Sequence, residues 1–333
     1  MVNPERMRVG AIDIGSNSIR LLVADFVPGS EARPETTVAR AGEVCRLGSG
    51  LHRGAPIPSE LIERAASIVS EFRRRAQALG ARRVIVGATA ALRSASNGAE
   101  VARLLEQRTG LPVRILSGDD EARLVYRAVV AGLGSPARRS PCVVFDLGGG
   151  STEVVSGLGL QPGRWTSLPF GAVNLTERHL LSDPAGGPEI EALQEQVRSE
   201  LMHRCALFPE RAPLLAGVGG TVTVLASLDR GITVYDPLLL EGWSIPRERL
   251  DPLIRKLTEA SHAQRRSWSI VGDGRADIVV AGALVVGMLL ERFQAPALTC
   301  STQGLRYGLA RMAAEEPSAE ESPEDGDVST SGP

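Results

Sequence analysis

"VGAIDIGSNSIRLLVAD", Val9 to Asp25, reads as a strand, a tight glycine turn and a second strand. The turn holds Ser16, Asn17 and Ser18 and is entered through a carboxylate, Asp13. A hairpin needs only a turn, so an acid followed by a row of small hydrogen-bonding residues calls for a further reason. "CVVFDLGGGSTEVVSG", from Cys142, repeats the pattern. Asp13 falls on Asp146, Gly15 on Gly148 and Ser18 on Ser151, each offset by 133 residues. Two such hairpins, each opening a half rich in alternating strands and helices, indicate an internal duplication.

Turns of small residues expose several backbone N–H groups in one direction, and such nests bind anions, phosphate above all. Gly148, Gly149 and Gly150 let a ligand approach the backbone with no Cβ in the way. Two nests facing each other could grip a chain of phosphates from both sides. Asp13 and Asp146 then sit at the strand ends beneath them, where a bare carboxylate would repel phosphate. A divalent cation between the acids removes the conflict, and magnesium favours few carboxylates, several waters and phosphate oxygens. Glu153 lies two residues past Ser151 on the same strand face and points to the same use. "GVGGTVTVLAS", Gly217–Ser227, adds a strand, a turn at Gly219 and Gly220 and a helix beginning at Thr221, whose N-terminus is a further anion site.

In "SGDDEARLVYRAV" Ser117 can cap a helix whose first turn holds Asp119, Asp120 and Glu121. Capping alone explains acids there. At a cleft between the halves, one of them could also orient and deprotonate water. "GATAALRSASN" offers Arg93 in a loop after a strand, where it could clamp a phosphate bidentately. Taken singly, each place also reads as an ordinary capped turn or surface arginine.

The chain has 333 residues, enough for two domains, with 43% hydrophobic and 23% charged residues, as in globular proteins. No apolar run nears the roughly 20 residues of a membrane span, and the start lacks the apolar core of a signal peptide. Cys45, Cys142, Cys205 and Cys300 show no paired spacing, which favours reduced thiols and a cytoplasmic location. Net charge is −2, yet the segment from Glu315 carries seven acids and no base, leaving 37 bases against 32 acids elsewhere. That acidic segment, 313–333, is expected to be disordered. Lys256 is the single lysine, which excludes a G-x-x-x-x-G-K phosphate loop. Neither a nucleic acid nor a membrane is expected as a partner.

Strands are expected at Arg8–Ile14, Ile19–Phe26 and Thr36–Leu47, then a helix over 58–80 capped by Ser59 and ended by Gly80. The pattern continues with a strand at 82–89, a helix at Gly98–Thr109, a strand at 111–116 and a helix at Asp119–Ala131. The Gly-, Pro- and Ser-rich stretch Gly132–Pro141 marks a boundary, so the halves are 1–131 and 132–312. The second half should hold helices near Val173–Leu181, Ile190–Phe208, Arg247–Glu259 and Ala276–Arg292, a late strand "ALTCS" and a last helix "GLRYGLARMAA". Strands alternating with helices give an α/β class with mixed sheets.

These motifs resemble those of the actin-like ATPase and sugar-kinase superfamily. Within it, "AIDIGSNSIRLLVAD", "GATAALRSASN", "ILSGDDEARLVYRAV", "FDLGGGSTEVV" and "GVGGTVTVLA" together resemble the exopolyphosphatase / guanosine pentaphosphate phosphohydrolase family, from about Arg8 to Arg311. The resemblance implies two actin-like (ribonuclease H-like) domains with duplicated mixed sheets flanked by helices. It also implies magnesium- or manganese-assisted hydrolysis of the terminal phosphoryl group of polyphosphate or of pppGpp. By position it makes Glu121 the catalytic base, with Arg93 beside it, and Asp146 and Glu153 metal-binding acids, which Asp13 joins from the other hairpin. Ser16, Asn17, Ser18, Gly148, Gly149, Gly150, Ser151, Gly219, Gly220 and Thr221 correspond to phosphate loops. Asp120 stands where the family usually has Glu, and Glu241 where relatives often have histidine. Family members are often dimers, so a homodimer is the expectation by analogy. Longer relatives carry an extra C-terminal helical domain, from which a preference for short polyphosphates is expected here. A pppGpp phosphohydrolase, a nucleotide-binding sensor and a kinase remain alternatives on these residues alone.

Overall fold

The hydrophobic runs of the first half form β1 (Met7–Ile14), β2 (Ser18–Phe26), β3 (Thr36–Val44), β4 (Arg83–Ala88) and β5 (Val113–Ile115). They build one sheet in the order β3-β2-β1-β4-β5, antiparallel through the hairpins and parallel from β1 to β5. The second half supplies β6 (Pro141–Leu147), β7 (Thr152–Leu158), β8 (Gln161–Leu168), β9 (Leu214–Val218), β10 (Ser244–Pro246) and β11 (Ala297–Cys300). Their order is β10-β11-β9-β6-β7-β8. Read from β8 to β11, it reproduces the first sheet strand for strand and adds β10 at the edge. The duplication seen in two hairpins therefore extends to both sheets. A computed structural model describes residues 6–315 apart from 28, 30–33, 35, 52 and 53. The disorder expected of the acidic segment falls, from residue 316 onward, outside the described residues.

Helices flank both sheets. They are α1 (Ser59–Ala78), α2 (Ala90–Ser94), α3 (Gly98–Thr109), α4 (Gly118–Leu133), α5 (Ser135–Arg139), α6 (Ala172–His179), α7 (Gly187–Arg204), α8 (Gly220–Arg230), α9 (Pro237–Leu240), α10 (Arg247–Glu259), α11 (His262–Ser267), α12 (Val279–Arg292) and α13 (Leu305–Glu315). One expectation needs correction. Ser59 is the first residue of α1, behind Pro58, and caps nothing. In the stretch 132–141, α4 runs on to Leu133 and α5 follows. No helix among the described residues is long and apolar enough to cross a membrane.

The two halves exchange their closing helices. α4, which ends the first half, packs on β6, β7 and β8 of the second sheet. α13, which ends the second, packs on β1, β2 and β4 of the first and against α4. One apolar cluster accordingly mixes Val9, Leu22 and Ile85 with Tyr126, Val144, Val155, Tyr307 and Leu309. Tyr126 of α4 donates to the Gly159 carbonyl at 3.0 Å, and Arg83 of β4 donates to the Ala313 carbonyl of α13 at 2.5 Å. Glu121, at the start of α4, is thus carried by the second sheet although its sequence belongs to the first half.

α4 and α13 touch backbone to backbone at Gly308, where a Cβ would lie 2.6 Å from the Leu124 carbonyl oxygen. Gly308→Ala should therefore push the helices apart and lower stability by about 1–3 kcal/mol, the usual range for overpacking. Thermal unfolding measures this, and an unchanged melting temperature would show that the crossing yields freely.

Candidate active site

The repeated turns close in the same way. Gly15 N–H donates to the Ser18 carbonyl at 3.1 Å, and Gly148 N–H to the Ser151 carbonyl at 3.0 Å. The outer carbonyls of each turn are also occupied. Gly48 N–H bonds Ser16 O at 2.8 Å, Arg46 N–H bonds Asn17 O at 2.9 Å, and Val173 N–H bonds Gly149 O at 2.9 Å. Among the described residues, the N–H groups of Ser16, Asn17, Gly149 and Gly150 make no hydrogen bond, leaving them for a ligand. The turns meet tip to tip: a Cβ on Gly149 would lie 3.1 Å from Ser16 Cβ and 3.4 Å from Asn17 N. Gly219 holds φ at +114° with its pro-Cβ position 2.5 Å from the Leu147 carbonyl oxygen. Only glycine fits there, and it delivers the start of α8 beside the second turn.

One cavity is lined by both turns, by Asp13 and Asp146, by Gly220 and Thr221 at the start of α8, and by Glu121. Residues spread over more than 200 positions of sequence thus converge. Asp13 and Asp146 occupy matched places at the ends of β1 and β6. Their cross-strand neighbours differ in sign: Arg20 faces Asp13, whereas Glu153 faces Asp146. Burial raises Asp13, with Arg20 and Arg306 opposing. Burial, then Glu153, pushes Asp146 up to about 7. The duplication has made one hairpin electrostatically lenient and the other demanding.

Glu121 is 6% exposed. Ser117 caps its helix as expected, its Oγ accepting from Asp120 N–H at 3.1 Å. Arg93 donates from Nη1 to Glu121 Oε2 at 3.0 Å and to the Leu116 carbonyl at 2.9 Å, and its Nη2 lies 3.8 Å from Glu153 Oε1. The Arg93 guanidinium thus sits between two acids and holds the Glu121 carboxylate in place. Burial, followed by the Glu153 charge, holds Glu121 well above the ordinary carboxylate range, with Arg93 opposing. Glu153 is 1% exposed, accepts from Ser167 Oγ at 2.8 Å and lies behind the cavity wall.

A second cavity of about 340 Å³ adjoins the first and shares Asp13, Asp146, Arg20 and Arg275 with it. Arg40 and Arg306 also line it. Arg40 donates to Tyr307 Oη at 2.8 Å. Arg20, Arg275 and Arg306 make no hydrogen bond or ion pair to another described residue. Burial, then Arg20, lowers Arg275 to about 10, and the same causes lower Arg306. Two guanidiniums held back from water, with Arg20 repelling both, give this cavity the chemistry to receive an anion with several charges. The sequence reading missed them. Arg20, two residues past the first turn, carried the one available signal.

The donor set fits a hard divalent cation, since Asp13 and Asp146 offer oxygen only and burial raises both. No group of three or more His, Cys, Asp or Glu side chains among the described residues could hold an ion unaided. Water and a ligand's own oxygens would have to complete its shell.

Comparison with known proteins places the chain in a family. The Ppx/GppA phosphatase family model matches residues 22–315. Exopolyphosphatase 2 of Mycobacterium tuberculosis is 34% identical over 313 residues, covering 91% of this chain and 97% of that protein. The solved Aquifex aeolicus PPX-GPPA enzyme is 30% identical, with a TM-score of 0.78 over 92% of this chain and 100% of its own. An exopolyphosphatase structure from Cytophaga hutchinsonii has the same fold, with a TM-score of 0.83 at 24% identity.

Proposed function

This chain belongs to the Ppx/GppA phosphatase family, and on that footing we propose that it is an exopolyphosphatase, removing orthophosphate from the end of inorganic polyphosphate. The observation that carries the reading is the convergence of two unsatisfied nests and a buried, oriented carboxylate, Glu121, on one cavity.

The terminal phosphoryl group lies between the nests, its oxygens taking N–H bonds from Ser16, Asn17, Gly149 and Gly150. Glu121 takes a proton from a water whose oxygen attacks the terminal phosphorus in line. The bond from that phosphorus to the bridging oxygen breaks, and the shortened chain leaves as an oxyanion. Nest and α8 N–H groups stabilise that charge as it develops. Arg93 keeps the Glu121 carboxylate turned inward. Magnesium or manganese would be held by Asp146 and Asp13, with Glu153 behind Asp146, and would neutralise phosphate charge when bound. The remaining phosphates extend into the chamber of Arg20, Arg275 and Arg306.

Arg275→Gln removes one charge-assisted contact to phosphate, worth about 1.5–3 kcal/mol. KM for polyphosphate should rise roughly ten- to hundred-fold, with kcat little changed and a shallower dependence of KM on salt. Steady-state kinetics at several ionic strengths measure both; an unchanged KM would remove the chamber from the substrate's path.

Orthophosphate release from polyphosphate, pppGpp and ATP, compared at equal concentration, tests the reading. Polyphosphate is expected to be the preferred substrate. A clear preference for pppGpp would make the chain a guanosine pentaphosphate phosphohydrolase, and turnover of ATP alone would make it a nucleotidase.

A further inference from the structure

We propose that Glu241 is a positioning residue for substrate binding, holding the loop 301–304 that launches Arg306 into the arginine chamber; the proposal rests on the exopolyphosphatase reading. Glu241 follows α9, and its carboxylate accepts three hydrogen bonds from that loop. Ser301 Oγ donates to Oε1 at 2.9 Å, and Thr302 N–H and Oγ1 both donate to Oε2 at 2.6 Å. The loop is held from the other side by Ser301 N–H, which donates to the Gly217 carbonyl of β9 at 2.9 Å. Gln303 N–H closes back on Ser301 Oγ at 3.2 Å.

What this loop carries makes the clasp more than a local turn. Ser301 and Thr302 line the chamber, Gly304 passes beside Asp146, and Leu305 and Arg306 begin α13 at the chamber wall. Arg306 makes no hydrogen bond or ion pair to another described residue, so its location depends on where the loop starts the helix. A carboxylate facing the chamber would compete with a phosphate chain for the guanidiniums. Glu241 instead spends its charge on three donors and makes no ion pair among the described residues. Charge-assisted bonds of this kind are about twice as strong as neutral ones.

The test compares Glu241→Ala, Glu241→Gln and Ser301→Ala. Glutamine can keep the clasp, because its oxygen can accept from Thr302 while its amide nitrogen donates to Ser301 Oγ. Glu241→Ala should raise KM for polyphosphate about tenfold with kcat within roughly twofold, and Glu241→Gln should restore KM. Hydrogen exchange should show lost protection at amides 301–306 in the alanine variant only, with β9 and β11 unchanged. Ser301→Ala removes one donor and leaves the acid, so it gives a smaller shift in the same direction, and it carries the test if the alanine variant does not fold. A parental KM in Glu241→Ala, or equal defects in the alanine and glutamine variants, would overturn the proposal. If the parent released no phosphate from polyphosphate, the functional reading would fail by itself. Calorimetric binding of tripolyphosphate would then decide on Glu241: weaker binding in the alanine variant than in the glutamine variant supports the clasp, and equal binding refutes it.

Discussion

Glu121→Gln should lower kcat by about two to four orders of magnitude, the usual value of a positioned general base, while polyphosphate still binds. The substitution keeps an oxygen to accept from Arg93 Nη1, now 3.0 Å from Glu121 Oε2, so the helix start and the arginine should stay in place. It removes only the capacity to take a proton from water. Burial and the Glu153 charge raise the Glu121 carboxyl. A base must be unprotonated to act, so the parent's kcat should fall as pH drops through a range above that of an ordinary carboxylate. Rapid-quench and steady-state assays on both proteins measure the loss, and a variant with near-parental kcat would take the base role away from Glu121.

The second large effect is expected at Asp146. Its carboxyl is pushed up to about 7 by burial and by Glu153, so a cation that replaces the proton relieves a real penalty. Even residues behind a metal's direct ligands are worth roughly ten- to hundred-fold in metal affinity. Asp146→Asn should therefore raise the magnesium needed for half-maximal activity by at least about tenfold, and chelation should abolish the parent's turnover. Asp13→Asn should do less, because Arg20 and Arg306 already offset the Asp13 charge. Activity in the parent that survives exhaustive chelation would contradict the assignment of both acids.

The hairpins were legible because their message is local. A strand, an acid, a glycine and small polar residues occur in one run, and the second copy repeats them at a fixed offset. The same locality gave the Ser117 cap and the glycine turn before α8. Taken by itself Arg93 suggests a phosphate clamp, and the family resemblance, not the local sequence, sets it beside Glu121, because 28 residues separate the two and folding brings them together. The arginine chamber was hidden for a stronger version of this reason. Its members come from β2, β3, the approach to α12 and the start of α13, among 36 arginines that look alike in sequence. The exchanged helices were invisible because an apolar stripe tells that a face is buried but not against which sheet. β8 escaped notice because Pro162 and Gly163 break its pattern, as edge strands permit.

The central claim is that water, activated by Glu121, attacks the terminal phosphorus of a polyphosphate held between the two nests. Turnover of polyphosphate in oxygen-18 water, followed by mass spectrometry of the products, tests it most directly. The account predicts one oxygen-18 atom in each orthophosphate released and none in the shortened chain. Label at the end of the remaining chain would place the attack on the other phosphorus, and unlabelled orthophosphate would mean that water is not the attacking group; either result would contradict the account.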